Sequence, residues 1–292
     1  MKNHESYNGS VKVDGMTLQY TVEGTGTPAL VIGSSIFYPR TFSNQLKKFL
    51  CLAFTDLRHF AKSDDSIRLD NITLDTYAND IEQVRSALGF KKMVVIGHSH
   101  HGNLALEYAK RYPENVTHIV LIGSPPCNVK QTLEMSKKYW LTYASERRKA
   151  MLQKNRQVIK DNRTVSMMAY EAYITQYVLD GPMYWYNPSF DSSWLWEGTP
   201  INMDVVKVFR NFFSDYKLFW DPVLLKAPVL VMMGRHDYIV PHILWDNLIP
   251  KLKNTTYYLF ERSGHTPQLE EQKLFDQIIL QWLENSPSKV TI

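Results

Sequence analysis

Met93-Val94-Val95-Ile96-Gly97-His98-Ser99-His100-His101-Gly102 passes from an unbroken apolar run, through a turn of small residues and histidines, into a segment of helical character. A continuous apolar run of this length suits a strand covered by helices on both faces. A serine held in a tight strand-to-helix turn projects its Oγ at the top of a sheet, and the helix N-terminus behind it favours developing negative charge. Gly97 and Ser99 keep the G-x-S spacing of such an elbow. The fifth position, where G-x-S-x-G has glycine, is His101, and Gly102 comes one residue late.

Outward from this turn, short β-rich runs recur between helical stretches, the pattern of βαβ units and a mostly parallel sheet. Strands are expected near Ser10–Val13, Leu18–Val22, Ala29–Ile32, Cys51–Thr55, Met93–Ile96, His118–Ile122, Val229–Met233 and Thr256–Phe260, with the continuous apolar ones central. Leu74–Leu88 carries an apolar stripe at Tyr77, Ala78, Ile81, Val84 and Leu88 that Gly89 stops. Leu104–Tyr112 reads as a helix ended by Pro113, and Leu269–Leu283 as the closing helix. From about Asn128 to Asp221 the rhythm breaks into helical and aromatic segments without a convincing strand. About half of the chain's aromatic residues fall there, Phe219 and Trp220 among them. The expected fold is α/β, with an eight-stranded mostly parallel sheet formed by residues 1–127 and 223–292, and residues 128–222 inserted as a helical lid.

The 292 residues can bury about three quarters of their unfolded surface. With 44% hydrophobic and 21% charged residues, disordered, collagenous and coiled-coil chains are excluded. A net charge of +4, dispersed along the chain, gives no nucleic-acid footprint. Two cysteines, Cys51 and Cys127, make no disulfide framework or CxxC site, so a reducing compartment is expected. No apolar run approaches 18 residues and the N-terminal segment has no secretory core. A cytoplasmic protein with a small-molecule substrate, and with neither membrane nor nucleic-acid partner, is the expectation.

The strand Val229–Met233 leads into Gly234-Arg235-His236-Asp237, and the strand Thr256–Phe260 into Glu261-Arg262-Ser263-Gly264-His265-Thr266-Pro267. A serine hydrolase of this geometry needs an acid and then a histidine at later strand ends, in the order Ser, Asp or Glu, His. Ser99, Asp237 and His265 therefore read as nucleophile, acid and base. A serine at the elbow also sets aside chemistry that attacks through an aspartate there.

At these residues the sequence resembles the α/β-hydrolase superfamily. Asp56-Leu57-Arg58-His59-Phe60-Ala61-Lys62-Ser63-Asp64 is similar to its D-x-R-G-x-G-x-S-D loop, with His59 and Ala61 where glycine is usual, and Gly264-His265-Thr266-Pro267 followed by Glu270 resembles its histidine loop. The lid placement and the loop Trp194-Leu195-Trp196-Glu197-Gly198 look most like the proline iminopeptidase-related branch. The resemblance implies an oxyanion hole from the backbone N–H of His100 and of Ser35, with Ser34 next, in the loop Gly33-Ser34-Ser35.

The cluster His98, His100 and His101 raises a zinc reading, but no carboxylate or cysteine lies nearby in sequence to complete it, and no phosphate-binding glycine loop is present. No metal or other cofactor is expected. The elbow is expected to point His98 and His100 away from Ser99, with His98 packed beneath the turn, His101 toward the helix start and His236 beside Asp237. Ser34, Trp185, Trp196 and Glu197 are candidate substrate contacts. The leading expectation is a serine hydrolase cleaving a small, partly apolar ester or amide through an acyl-enzyme. A narrower one is a proline iminopeptidase-like aminopeptidase using Glu171, Asp180, Asp191, Glu197 or Asp204 for the substrate amine. From another class comes a non-catalytic ligand receptor on the hydrolase fold.

Overall fold

The computed structural model describes residues 6–63, 68–161, 168–218 and 225–286. All eight expected strands form, as β1 (Tyr7–Val13), β2 (Met16–Glu23), β3 (Thr27–Gly33), β4 (Leu50–Asp56), β6 (Met93–His98), β7 (Val116–Ile122), β8 (Val229–Gly234) and β9 (Thr255–Phe260), with a two-residue strand β5 (Lys62–Ser63) pairing beside β2. The order is β1-β2-β4-β3-β6-β7-β8-β9. Only β2 runs against its two main-path neighbours, and every pair from β4 to β9 is parallel.

Alternation along the central strands explains their unbroken apolar character. Leu30, Ile32, Val95, Leu121, Val231 and Met233 face one core, while Ala29, Val31, Val94, Ile96, Val120, Ile122, Leu230 and Met232 face the other. Helices α1 (Leu74–Ala87) and α2 (His100–Arg111) cover the first core through Tyr77, Ile81, Val84, Leu104 and Tyr108. Each such aliphatic side chain contributes roughly 1.5 to 3 kcal/mol by leaving water. Gly89 ends the turn after α1 at φ 67°, and Phe90 N–H reaches back to the Arg85 carbonyl at 3.2 Å. Arg58, from the D-x-R loop, donates to both Asp80 oxygens at 2.6 and 2.8 Å, pinning that loop to α1; Asp64 of the same motif lies outside the described residues.

Two helix boundaries differ from expectation. Helix α2 starts at His100 rather than Leu104, directly after the serine, so the His100-His101 pair forms its first turn. The closing helix is broken into α8 (Pro267–Glu270) and α9 (Gln272–Asn285). Glu271 leaves helical geometry at the break, which lets neighbouring carboxylates serve one loop: Glu270 accepts from Gly264 N–H at 2.8 Å and Glu271 from Arg262 N–H at 2.9 Å. On a continuous helix adjacent residues do not face the same side. The second face of the sheet is covered by Phe275, Ile279 and Trp282 of α9.

Between β7 and β8 the chain forms α3 (Val129–Tyr143), α4 (Glu146–Asp161), α5 (Ala169–Leu179), α6 (Gly181–Tyr184) and α7 (Met203–Phe212), and no strand among the described residues. The expected boundary at 222/223, with Phe219 and Trp220, lies outside the described residues.

Tight backbone contacts set the elbow. A Cβ on Gly97 would stand 2.3 Å from the His101 carbonyl oxygen, and one on Gly102 would stand 2.0 Å from Ser124 Oγ. Gly97→Ala is therefore expected to destabilise by about 2 to 4 kcal/mol, because backbone must move. Gly89→Ala, where a Cβ meets nothing within 4 Å, is expected to cost about 1 kcal/mol from its positive φ alone. Urea unfolding of the two variants checks the ranking, and equal losses would contradict it.

Candidate active site

Ser99 stands at φ 56° and ψ −135°, a conformation that a non-glycine residue adopts only where its surroundings impose it. Its amide donates to the Ile122 carbonyl at 2.8 Å, so β7 holds the turn from below. A serine at a helix N-cap ordinarily caps the first turn with its hydroxyl. Here no such cap bond forms, and Oγ is left to the cavity that Ser99 lines.

The structure brings Asp237 and His265 together from the ends of β8 and β9. His265 Nδ1–H donates to Asp237 Oδ2 at 2.6 Å, while the Ile239 and Val240 amides donate to Asp237 Oδ1 at 2.9 and 2.8 Å. Asp237 is fully buried and His265 nearly so. With both oxygens engaged by donors, the Asp237 carboxylate fixes the Nδ1–H tautomer of His265 and leaves Nε2 as the proton acceptor. His265 lines the same cavity as Ser99. His236 does not join this pair: its ring lies against Tyr186, with centroids 4.9 Å apart.

The loop after β3 differs from expectation. Ser35 N–H donates to Asp56 Oδ1 at 2.7 Å, and Ser34 Oγ accepts from the Ile36 and Phe37 amides at 3.2 and 3.1 Å. Burial pushes the Asp56 carboxyl up to about 6, against the pull of the Ser35 and Gln19 amides. The Ser35 amide is thus committed to Asp56 at the end of β4, and neither serine lies on the cavity wall, which the loop meets through Phe37 and Tyr38. Asp56 anchors this loop through the Ser35 amide. Of the two expected oxyanion donors, the His100 amide in the first turn of α2 is the one whose residue faces the cavity.

The cavity encloses about 440 Å³ and is walled by Phe37, Phe60, Tyr173, Tyr177, Tyr184, Trp196 and Phe209, besides the histidines. Trp196 lines the cavity. Trp185 is buried against Tyr177 and Phe190 instead, and Glu197 is exposed away from the wall. None of the other candidate carboxylates lines the cavity: Glu171 accepts from Met168 N–H, Asp180 pairs with Arg156, Asp191 accepts from Ser193 N–H and Asp204 pairs with Lys207. The charged side chain on the wall is Arg210, its guanidinium over the Tyr173 ring at 5.5 Å. Its place on the amphipathic helix α7 carried no signal in the sequence.

His98 and His100 do not point away from Ser99 as expected: both line the cavity with it, as does His101 in the first turn of α2. His100 stacks on Phe213 at 4.6 Å, and burial takes it down to about 4. His101 is buried against Tyr38 and His59. Among the described residues no group of three His, Cys, Asp or Glu side chains is arranged to hold a metal.

A strap over the site, Met183 to Tyr186, binds the loops that carry Asp237 and His265. Its Tyr184 carbonyl accepts from His265 N–H at 2.6 Å, and its Met183 carbonyl from Tyr238 N–H at 3.0 Å. Arg148 donates to the carbonyls of Pro182, Trp185 and Tyr186, and Glu270 accepts from Tyr186 N–H at 2.6 Å as well as from Gly264.

Residues 26–272 match the family model described as alpha/beta hydrolase fold. The chain is 33% identical over 279 residues to AB hydrolase superfamily protein YclE of Bacillus subtilis, covering 93% of this chain and 96% of that one. It is 26% identical to mouse epoxide hydrolase 3 over 78% of this chain and 62% of the other. An alpha/beta fold family hydrolase from Bacillus anthracis superposes with a TM-score of 0.69 over 95% of this chain and 99% of that one, at 22% identity, a likeness of fold.

Burial raises the Glu270 carboxyl from 4.5 to about 8, against the pull of its backbone donors. The unfolded chain therefore gives up this proton first, and stability drains from the fold as pH rises from about 4.5 to about 8. Glu270→Gln has no proton to lose there. The stability of wild type relative to this variant is expected to decline across that window and to level off above it, as read by urea midpoints; a difference independent of pH would refute the assignment.

Proposed function

This chain belongs to the α/β-hydrolase fold family, and on that premise we propose that it is a serine hydrolase cleaving a small, partly apolar ester or amide through an acyl-enzyme on Ser99. The observation that carries the reading is the His265–Asp237 pair at 2.6 Å, with His265 and Ser99 on the wall of one aromatic cavity. His265 Nε2 takes the Ser99 proton as Oγ attacks the acyl carbon. Asp237 holds the imidazole and balances the imidazolium that forms. The leaving group departs with that proton, and water then releases the acyl group by the same route in reverse.

The His100 amide donates to the developing oxyanion, aided by the positive end of α2. Residues 128–222 act as a cap, since Tyr173, Tyr177, Tyr184, Trp196, Phe209 and Arg210 supply much of the cavity wall. Chemistry requiring an aspartate at the elbow is not carried over from the epoxide hydrolase relatives, because the elbow residue is Ser99. Aromatic walls favour an apolar acyl or alcohol portion, gaining roughly 25 cal/mol per Å² buried.

The charge on the wall bears on the aminopeptidase reading. A substrate ammonium needs a carboxylate within reach, and among the described lining residues there is Arg210 but no Asp or Glu. Short-chain p-nitrophenyl esters are therefore expected to show higher kcat/KM than prolyl anilide, by about tenfold or more, a desolvated like-charge contact being costly. The reverse ranking would favour the aminopeptidase.

Ser99→Ala is expected to lower kcat by on the order of 10⁴ while leaving the urea midpoint near wild type. Labelling with a fluorophosphonate, located by peptide mass, should fall on Ser99 and vanish in this variant. An adduct on another serine would overturn the nucleophile assignment, and an unlabelled Ser99 would favour the ligand-receptor reading.

A further inference from the structure

Three buried histidines around the elbow take no part in the triad, and two of them, His59 and His101, occupy positions where the family pattern has glycine. They are not separate. His59 Nδ1 lies 3.2 Å from Tyr77 Oη, His59 Nε2 3.3 Å from His101 Nε2, and His101 Nδ1 3.0 Å from Tyr38 Oη. Tyr38 Oη lies 3.2 Å from His98 Nδ1, and His98 Nε2 2.7 Å from the backbone carbonyl oxygen of His265.

The last contact sets the direction of all the others, because a carbonyl only accepts. His98 Nε2 must carry the proton, so in a neutral ring Nδ1 accepts from the Tyr38 hydroxyl. That hydroxyl has one proton, now committed, so His101 Nδ1–H donates to its oxygen. His101 Nε2 then accepts from His59 Nε2–H, and His59 Nδ1 from the Tyr77 hydroxyl. Every donor and acceptor in the row is used once, with no charge. Burial holds all three rings well below the ordinary histidine range, His59 down to about 3, as this neutral row requires.

We propose that Tyr77, His59, His101, Tyr38 and His98 form one oriented hydrogen-bond chain that positions His265 and the loop after β3 about Ser99. These are positioning residues: they act on the reacting groups through the His265 backbone and the Tyr38 loop. The chain links α1, the segments following β3 and β4, the end of β6 and the start of α2 to the loop after β9. His59 and His101 are a matched pair within it, stacked at 5.4 Å and 26°. Either one alone in place of glycine would leave a buried ring nitrogen without its partner.

The tautomers test the chain, and only the kinetic arm rests on the hydrolase reading. Long-range ¹⁵N–¹H NMR of the full protein at neutral pH is expected to find neutral His98 and His59 protonated at Nε2 and neutral His101 protonated at Nδ1. Tyr38→Phe keeps the ring but removes both links. It is expected to shift the His98 and His101 nitrogen signals and to lower kcat for a p-nitrophenyl ester by about tenfold, with KM within about twofold. His59→Phe and His101→Phe preserve the stacking, and the double variant is expected to lose less activity than the product of the single losses. If Tyr38→Phe does not fold, Tyr77→Phe, at the far end, is expected to shift the His59 signals first. An Nδ1-protonated His98, a doubly protonated ring, or a Tyr38→Phe variant with unchanged nitrogen signals and kcat would overturn the proposal. An unlabelled Ser99 in wild type would sink the hydrolase reading and leave the tautomer result standing.

Discussion

The backbone of Ser99 is the constraint around which the molecule is arranged. Holding a non-glycine residue at φ 56° and ψ −135° costs on the order of 1 to 3 kcal/mol, and the surroundings must over-determine it. They do so from three directions. The β7 carbonyl of Ile122 takes the Ser99 amide, Gly97 and Gly102 let the turn close on itself and on Ser124, and α2 begins at once with His100. The Ser99 hydroxyl makes no helix-capping bond and is left to the cavity.

The glycine that the elbow motif places at the fifth position is replaced by His101 without loss of the turn. The close approach that demands a missing Cβ is made by Gly102 and Gly97, whereas the side chain at 101 points into a buried space already occupied by Tyr38 and His59. The two departures from the family pattern, at 59 and 101, thus meet each other in space. Neither is interpretable alone.

A second support comes from the strap Met183–Tyr186, whose carbonyls take the His265 and Tyr238 amides. The buried Arg148 takes its Trp185 and Tyr186 carbonyls, and Glu270 takes its Tyr186 amide. A buried peptide segment needs such partners for every N–H and C=O. The site is consequently held from above by the inserted segment as well as from below by the sheet.

Strand positions, the central rank of the apolar strands and the placement of Ser99, Asp237 and His265 just past strand ends were legible because period-two burial and strand ends leave local marks in sequence. The apolar runs at 93–96 and 229–233 suit strands covered on both faces, and they form β6 and β8. The break at Glu271 was not legible, since Leu269–Leu283 keeps a helical stripe across it and only the loop amides of Arg262 and Gly264 call for the two carboxylates. Nor was the fate of Ser35: its amide goes to Asp56, 21 residues away in sequence. Trp185 and Trp196 looked alike in the chain, yet only Trp196 reaches the cavity. Local periodicity by itself determined the fold class and the order of the three chemical groups. Which amides are spent, which aromatics face the cavity and which histidines meet are decided by contacts between distant segments, which exist only once the sheet and the inserted helices have packed.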